Sequence, residues 1–239
     1  MSFERLQPVA LITGAASALG GACASAIARR AEGGLVLADS NEPGLEAAAD
    51  GLAFPPERVS TLAFDAASEA RWADACAFIK SQYGRLDWAV INAPAAPAAT
   101  DLVQWDAPSA LEQVILSLAP VMDLMRHNAG GGAIVITAPA AALSARPGLL
   151  DVVRAAAKEA ASYDVRVNAL AVGAAEAPSF QELANSAGGE RAAFSALEAM
   201  PTPLARYAGA APARLIDTLL SGAGAVSGVT LVVDAGYAI

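Results

Sequence analysis

Apolar positions along this chain come as short continuous runs that alternate with longer periodic stripes. Val9–Ile12 is a short run before a glycine-containing turn. Leu19, Ala22, Cys23, Ala26 and Ile27 then recur at helical spacing. Gly33-Gly34 stops that helix. The same alternation predicts further strands at Leu35–Ala38, Val59–Phe64, Trp88–Ile91, Ala133–Thr137, Arg166–Val172 and Val229–Val233. It predicts helices over Pro43–Leu52, along Trp72, Ala75, Cys76, Ile79 and Tyr83 up to Gly84, over Leu111–Met125, and over Leu149–Ala160.

Strands that are apolar throughout, with helices between them, imply a parallel sheet covered on both faces. Right-handed crossovers make it doubly wound. The expected fold is therefore α/β, a single Rossmann-type sheet of roughly seven strands. Residues 1–239 show no repeat and no linker, so one domain is expected. Residues 173–206, rich in Ala, Ser, Pro and Gly, form the least regular stretch. They follow the sixth strand, where a long excursion is placed to cover the crevice at the carboxyl ends of the strands. A lid and a purely structural loop are the two readings.

Composition narrows the partners. A chain of 239 residues buries a full core without staples. Hydrophobic residues reach 55%, much of it alanine, and no run approaches the ~20 apolar residues of a membrane span. Met1–Pro8 lacks the basic and apolar regions of a signal peptide, so a cytoplasmic protein with no membrane partner is expected. The net charge of −9, without any Lys/Arg cluster, argues against nucleic acid. Cys23 and Cys76 lack metal-type spacing and sit on helical stripes, which points to buried structural thiols and no metal. His127, the sole histidine, precedes the helix stop Asn128-Ala129-Gly130-Gly131, where a capping or surface role suits it better than catalysis.

The candidate chemistry starts at Thr13-Gly14-Ala15-Ala16-Ser17-Ala18-Leu19-Gly20, between the first strand and the first helix. Gly14 permits a tight turn, the helix N-terminus offers N–H donors to a pyrophosphate, and Gly20 allows close packing on the sheet. Asp39 lies 19 residues beyond Gly20, at the end of the second strand. Its carboxylate would accept both ribose hydroxyls of an adenosine and repel a 2′-phosphate, favouring NAD over NADP; the alternative is a solvated strand-end carboxylate. Asp65 and Asn92 end the third and fourth strands. Asp65 would accept from an adenine amino group, and Asn92 would bridge the central strands. Each could instead be a helix cap or turn residue.

These motifs together resemble the short-chain dehydrogenase/reductase family over nearly the whole chain. Thr13–Gly20 is similar to its Thr-Gly-x-x-x-Gly-x-Gly motif, and Asp39 to its NAD-selecting acid. Asp65-Ala66 resembles its adenine-contacting pair, and Asn92-Ala93-Pro94 the end of its Asn-Asn-Ala-Gly motif. Arg166-Val167-Asn168-Ala169 resembles its sixth strand, and Gly228–Gly236 its C-terminal signature. The resemblance implies cofactor contacts from Gly14, Ser17, Leu19, Gly20, Asp39, Asp65, Ala66, Asn92 and Ala93.

The departures matter as much. Ala18 stands where the family has a second glycine, Pro94 where it has the turn glycine, and Ser117 where it has an asparagine. The family's serine after the fifth strand, and its Tyr-x-x-x-Lys on the next helix, have no counterpart in either alignment. One register puts Ala142 and Arg146 at the tyrosine and lysine positions. The other puts Pro139, Val152 and Ala156 at the serine, tyrosine and lysine positions. Pro147-Gly148 places a helix start near Leu149, which leaves Arg146 in a loop. Thr137 is a poor proton donor, and Tyr163 is expected to pack far from the cofactor. No catalytic residue is therefore predicted.

The readings left open are an NAD-dependent oxidoreductase for alcohols or carbonyls, an altered reaction, and a non-catalytic relative that binds NAD(H) as a sensor or partner subunit. A dead nucleotide site is a further reading. A homodimer or homotetramer is expected, through the Ala-rich helix Leu149–Ala161 and the C-terminal strand.

Overall fold

A computed structural model describes residues 7–93, 107–139, 148–172 and 210–234. Strands and helices alternate as β1 (Val9–Thr13), α1 (Ala18–Ala28), β2 (Gly34–Asp39), α2 (Glu42–Asp50), β3 (Val59–Ala63), α3 (Glu69–Tyr83) and β4 (Trp88–Asn92). There follow α4 (Ala107–Met125), β5 (Gly132–Pro139), α5 (Gly148–Ala160), β6 (Val165–Val172), α6 (Ala210–Ser221) and β7 (Thr230–Val233). The strands form one seven-stranded sheet in the order β3-β2-β1-β4-β5-β6-β7, with every neighbour parallel.

The sheet is covered on both faces, which is why its central strands are apolar throughout. All five residues of β1 are buried. Val9 and Leu11 pack with apolar residues of α3, α4 and α5, while Ala10 and Ile12 pack with those of α1, α2 and α6. Successive side chains thus serve opposite cores, the period-2 behaviour of a strand. Ile134 and Ile136 in β5 are fully buried, so truncating either to alanine would cost about 2–5 kcal/mol.

Local chemistry sets the helix ends. Ser17 caps α1, and Asn41 caps α2 by accepting from the Gly44 N–H at 3.3 Å. Gly84 ends α3 at φ 72°, with its N–H on the Lys80 carbonyl at 3.0 Å. The stop after α4 is built by Asn128, whose side-chain amide donates to the carbonyls of Leu86 and Gly131. His127 beside it is exposed.

The structure corrects several expectations. β5 continues past Thr137 to Pro139, which pairs with Val172. β3 stops at Ala63, and β7 starts at Thr230. The helix α6 was not predicted at all. Its stripe of Ala213, Ile216, Leu219 and Leu220 is buried. It follows a stretch without periodicity and carries Pro212 near its start, where proline is tolerated. Residues 173–206, expected as a lid or loop, lie outside the described residues.

The Arg166–Ala169 segment proves to be a structural clamp. The Arg166 guanidinium donates to the Leu219 and Leu220 carbonyls at 2.6 and 2.8 Å, satisfying the end of α6. Burial lowers its pKa from the usual guanidinium value. Asn168, 1% exposed, donates to the Val226 carbonyl at 2.9 Å and accepts from the Val229 N–H at 3.2 Å, which seats β7. Arg30, in the turn just after α1, pairs with Asp217 of α6 at 3.2 Å, tying the end of α1 to α6.

Candidate functional site

The chain runs outward through β1, β2 and β3, then returns to place β4 on the other side of β1. At such a reversal the connections leaving the neighbouring strands diverge and open a crevice at their carboxyl ends. The nine residues predicted from sequence all lie along that edge, on the segments leaving β3, β2, β1 and β4.

Gly14 leaves β1 at φ 62°, a left-handed conformation that favours glycine. A Cβ on Gly20 would stand 2.1 Å from the Gly14 carbonyl oxygen and 2.8 Å from the Ala15 Cα. Glycine at position 20 is what lets the start of α1 close onto the strand end. Ser17 locks this turn, since its hydroxyl donates to the Gly14 carbonyl at 2.7 Å and accepts from the Gly20 N–H at 3.0 Å. Leu19 is buried beneath, whereas Ala18 is exposed, so its methyl group sits in solvent without straining the fold. Ala18 and Leu19 open α1, and first-turn amides have no carbonyl four residues back within the helix. Those donors and the dipole suit an anion.

Asp39 does more than stand at a strand end. Its Oδ2 accepts from the Ala16 N–H at 3.0 Å, and its Oδ1 accepts from the Asn41 N–H at 2.9 Å. The acid therefore braces the glycine turn, while a carboxylate keeps further lone pairs for other donors. Asp65 is exposed. Its Oδ1 accepts from the Ala67 N–H at 2.9 Å, and its carbonyl accepts from Ser68 at 3.0 Å, the turn-residue arrangement weighed from sequence. The Ala66 carbonyl accepts from the Trp72 indole N–H at 2.9 Å.

Asn92 bridges the centre of the sheet. It donates from Nδ2 to the Thr13 carbonyl at 2.5 Å and accepts at Oδ1 from the Thr137 hydroxyl at 2.5 Å. Its main-chain N–H donates to the Thr13 hydroxyl oxygen at 3.0 Å. The Ala93 N–H donates to the Thr137 carbonyl at 3.0 Å. From sequence, Thr13 had no role beyond opening the glycine motif, and Trp72 had none at the site. Trp72 was visible only as a member of an apolar stripe.

The substrate side of the crevice carries few polar groups in the described residues. Thr137 is 3% exposed, with its proton committed to Asn92. Ser117 is fully buried and donates to the Val114 carbonyl at 2.6 Å within α4. Val152 and Ala156 of α5 pack into the core. Tyr163 lies at the opposite end of the sheet, with the Arg126 guanidinium 5.2 Å from its ring centre. Pro94, Ala142, Arg146 and the Pro139 side chain lie outside the described residues.

A cavity of about 440 Å³ opens at that opposite, amino edge, lined in part by Asp87, Asp164, Arg166 and Ser227. Asp87 and Arg166 are held internally. Asp87 accepts from Arg85 and from the Val9 N–H, and this pairing raises the Arg85 pKa. The thiols differ from expectation in one respect. Cys23 is buried, but Cys76 is only half-buried, and burial followed by the nearby Asp123 charge pushes its pKa up to about 11. Among the described residues no group of three or more His, Cys, Asp or Glu is placed to hold a metal, and no helix is long and apolar enough to cross a membrane.

A family model described as enoyl-(acyl carrier protein) reductase matches residues 14–238. The chain belongs to the short-chain dehydrogenase/reductase family. D-threitol dehydrogenase of Mycolicibacterium smegmatis is 30% identical over 246 residues, covering 97% of this chain and 93% of that protein. A crystal structure of a short-chain dehydrogenase/reductase from Burkholderia xenovorans superposes with a TM-score of 0.79 at 25% identity, covering 98% of both chains. The 3-ketoacyl-(acyl-carrier-protein) reductase of Brucella melitensis, solved with NADH, gives 0.77 at 26% identity over 97% of this chain and 98% of that one. Family membership accounts for the doubly wound sheet and for the glycine turn at its switch point.

Proposed function

We propose that this member of the family binds NAD(H) in the crevice and lacks the groups that move the proton in its relatives, acting as a cofactor-binding protein or in altered chemistry. The fit rests on the cradle. Gly14 and Gly20 let the start of α1 close onto the end of β1, and the α1 amides and the Asp39 carboxylate offer an anion and a pair of hydroxyls their partners. Gly14, Ser17, Leu19 and Gly20 would hold the pyrophosphate, Asp39 the adenosine ribose, Asp65-Ala66 the base, and Asn92-Ala93 the nicotinamide side. The acid at position 39 favours NAD over NADP by repelling a 2′-phosphate. Bound NAD(H) supplies hydride chemistry, and the protein's part is to position it and to handle the proton.

The proton is where the chain falls short. The observation that carries the proposal is Thr137, a hydroxyl near the end of β5 that is buried and already donates to Asn92. Loss of a general acid–base typically forfeits about 10²–10⁴ in rate. The second reading, an NAD-dependent oxidoreductase for an alcohol or carbonyl, is favoured by the dehydrogenase and reductase names of its relatives. Mixing NADH-loaded protein with a panel of ketones, aldehydes and enoyl thioesters, then following loss of NADH absorbance, separates the two. Turnover at the level of an ordinary reductase would favour the second.

On this proposal residues 1–239 form one domain. Assembly into a homodimer or homotetramer would use α5 and β7. Val232 on the edge strand β7 is 51% exposed, which supports an apolar contact there.

A further inference from the structure

We propose that Trp72 is a positioning residue that fixes the Asp65–Ala66 turn and so sets a preference for adenine over a purine lacking the 6-amino group. The inference rests on the cofactor reading above. Trp72 is 1% exposed, on the first turn of α3, and its main-chain N–H donates to the Ser68 carbonyl at 3.2 Å. Its indole N–H reaches back to the Ala66 carbonyl at 2.9 Å. Its ring meets Phe64 edge-to-face, with centroids 5.2 Å apart and planes at 82°. The chain from Phe64 to Ser68 is thus wrapped on one indole, held by an edge-to-face ring contact on one side and a hydrogen bond on the other.

That clamp decides what the turn leaves outside. Asp65 Oδ1 is taken by the Ala67 N–H, which leaves Oδ2 as an acceptor. The Ala66 main-chain N–H makes no hydrogen bond among the described residues and remains a donor. An acceptor beside a donor complements the donor–acceptor pair of adenine, its 6-amino group and N1. Hypoxanthine presents the reverse pair, an N1–H donor and a 6-oxo acceptor. Phenylalanine at position 72 would fill most of the same space but could not hold the Ala66 carbonyl. The peptide between Ala66 and Ala67 would then be held only through its N–H on Asp65 Oδ1, and the spacing of the two groups would blur.

Calorimetric titration of the full chain and of Trp72→Phe with NADH, with its hypoxanthine analogue and with reduced nicotinamide mononucleotide tests this. In Trp72→Phe the NADH Kd should rise roughly three- to tenfold, as expected for one hydrogen bond, and the adenine-to-hypoxanthine preference should fall by the same factor. The mononucleotide should bind unchanged. In the unmodified chain the Trp72 indole N–H resonance should shift on adding NADH and stay in place with the mononucleotide, a readout that needs no folded variant. An unchanged preference in a folded Trp72→Phe overturns the proposal, as does an unmoved Trp72 resonance at NADH saturation. If the unmodified chain binds no NADH, the cofactor reading fails and takes this proposal with it.

Discussion

Replacing Asn92 by alanine removes the side chain that ties β1, β4 and β5 together at the mouth of the crevice. Two hydrogen bonds are lost, to the Thr13 carbonyl and from the Thr137 hydroxyl. Thr13 and Thr137 are each 3% exposed, so water cannot readily replace the amide. A hydrogen bond is worth about 0.5–1.5 kcal/mol net, and a buried group left without a partner costs about 1–3 kcal/mol. The main-chain bond from Asn92 to the Thr13 hydroxyl survives, because alanine keeps its N–H. The sum is about 2–4 kcal/mol. For a domain of this size that lowers Tm by roughly 5–15 °C. Urea unfolding of the unmodified chain, Asn92→Ala, Thr137→Val and the double variant gives the assay. The two single losses should be coupled by about 1 kcal/mol, since they share one bond. Additive effects, or an Asn92→Ala loss below about 0.5 kcal/mol, would refute the view that this amide holds the strand ends.

Other consequences are as direct. Gly20→Ala places a methyl group 2.1 Å from the Gly14 carbonyl oxygen, so α1 must shift off the strand end. Thermal denaturation should show a loss of at least about 1–3 kcal/mol, and NADH affinity should fall with it. The Cys76 thiol should resist alkylation at pH 8, and Asp123→Asn should speed it, because the charge of Asp123 is the second cause of the raised pKa. The linkage sign is that of a group kept protonated by folding. Its contribution to stability is fully present below pH 9 and is lost as pH rises through about 11, which urea titrations across that window would record.

Much of this architecture is legible in the sequence because parallel sheets leave a strong trace. The run Val9–Ile12 is apolar on both faces because both faces are covered, the glycine at 14 stands where the chain turns left-handed, and the glycine at 20 stands where backbone must meet backbone. Asn92 as a bridge between strands follows from its place at a central strand end. Other features depend on distance through space, which spacing along the chain does not encode. The stripe that becomes α6 was present, but an unpatterned stretch and Pro212 hid its start. That Asp39 braces the Ala16 N–H, that Trp72 holds the Ala66 carbonyl, and that Arg166 caps a helix 53 residues away are contacts made by folding. Thr137 shows the same limit. Its identity was plain from sequence, but the commitment of its proton was not.

The proposed function stands or falls on NAD(H) binding in the crevice beside Gly14 and Asp39. Calorimetric titration of the unmodified chain and of Asp39→Ala with NADH and NADPH tests it most directly. Saturable NADH binding, weaker NADPH binding, and loss of that discrimination in Asp39→Ala are expected. No binding at millimolar NADH, or equal affinity for the two cofactors in the unmodified chain, would contradict it.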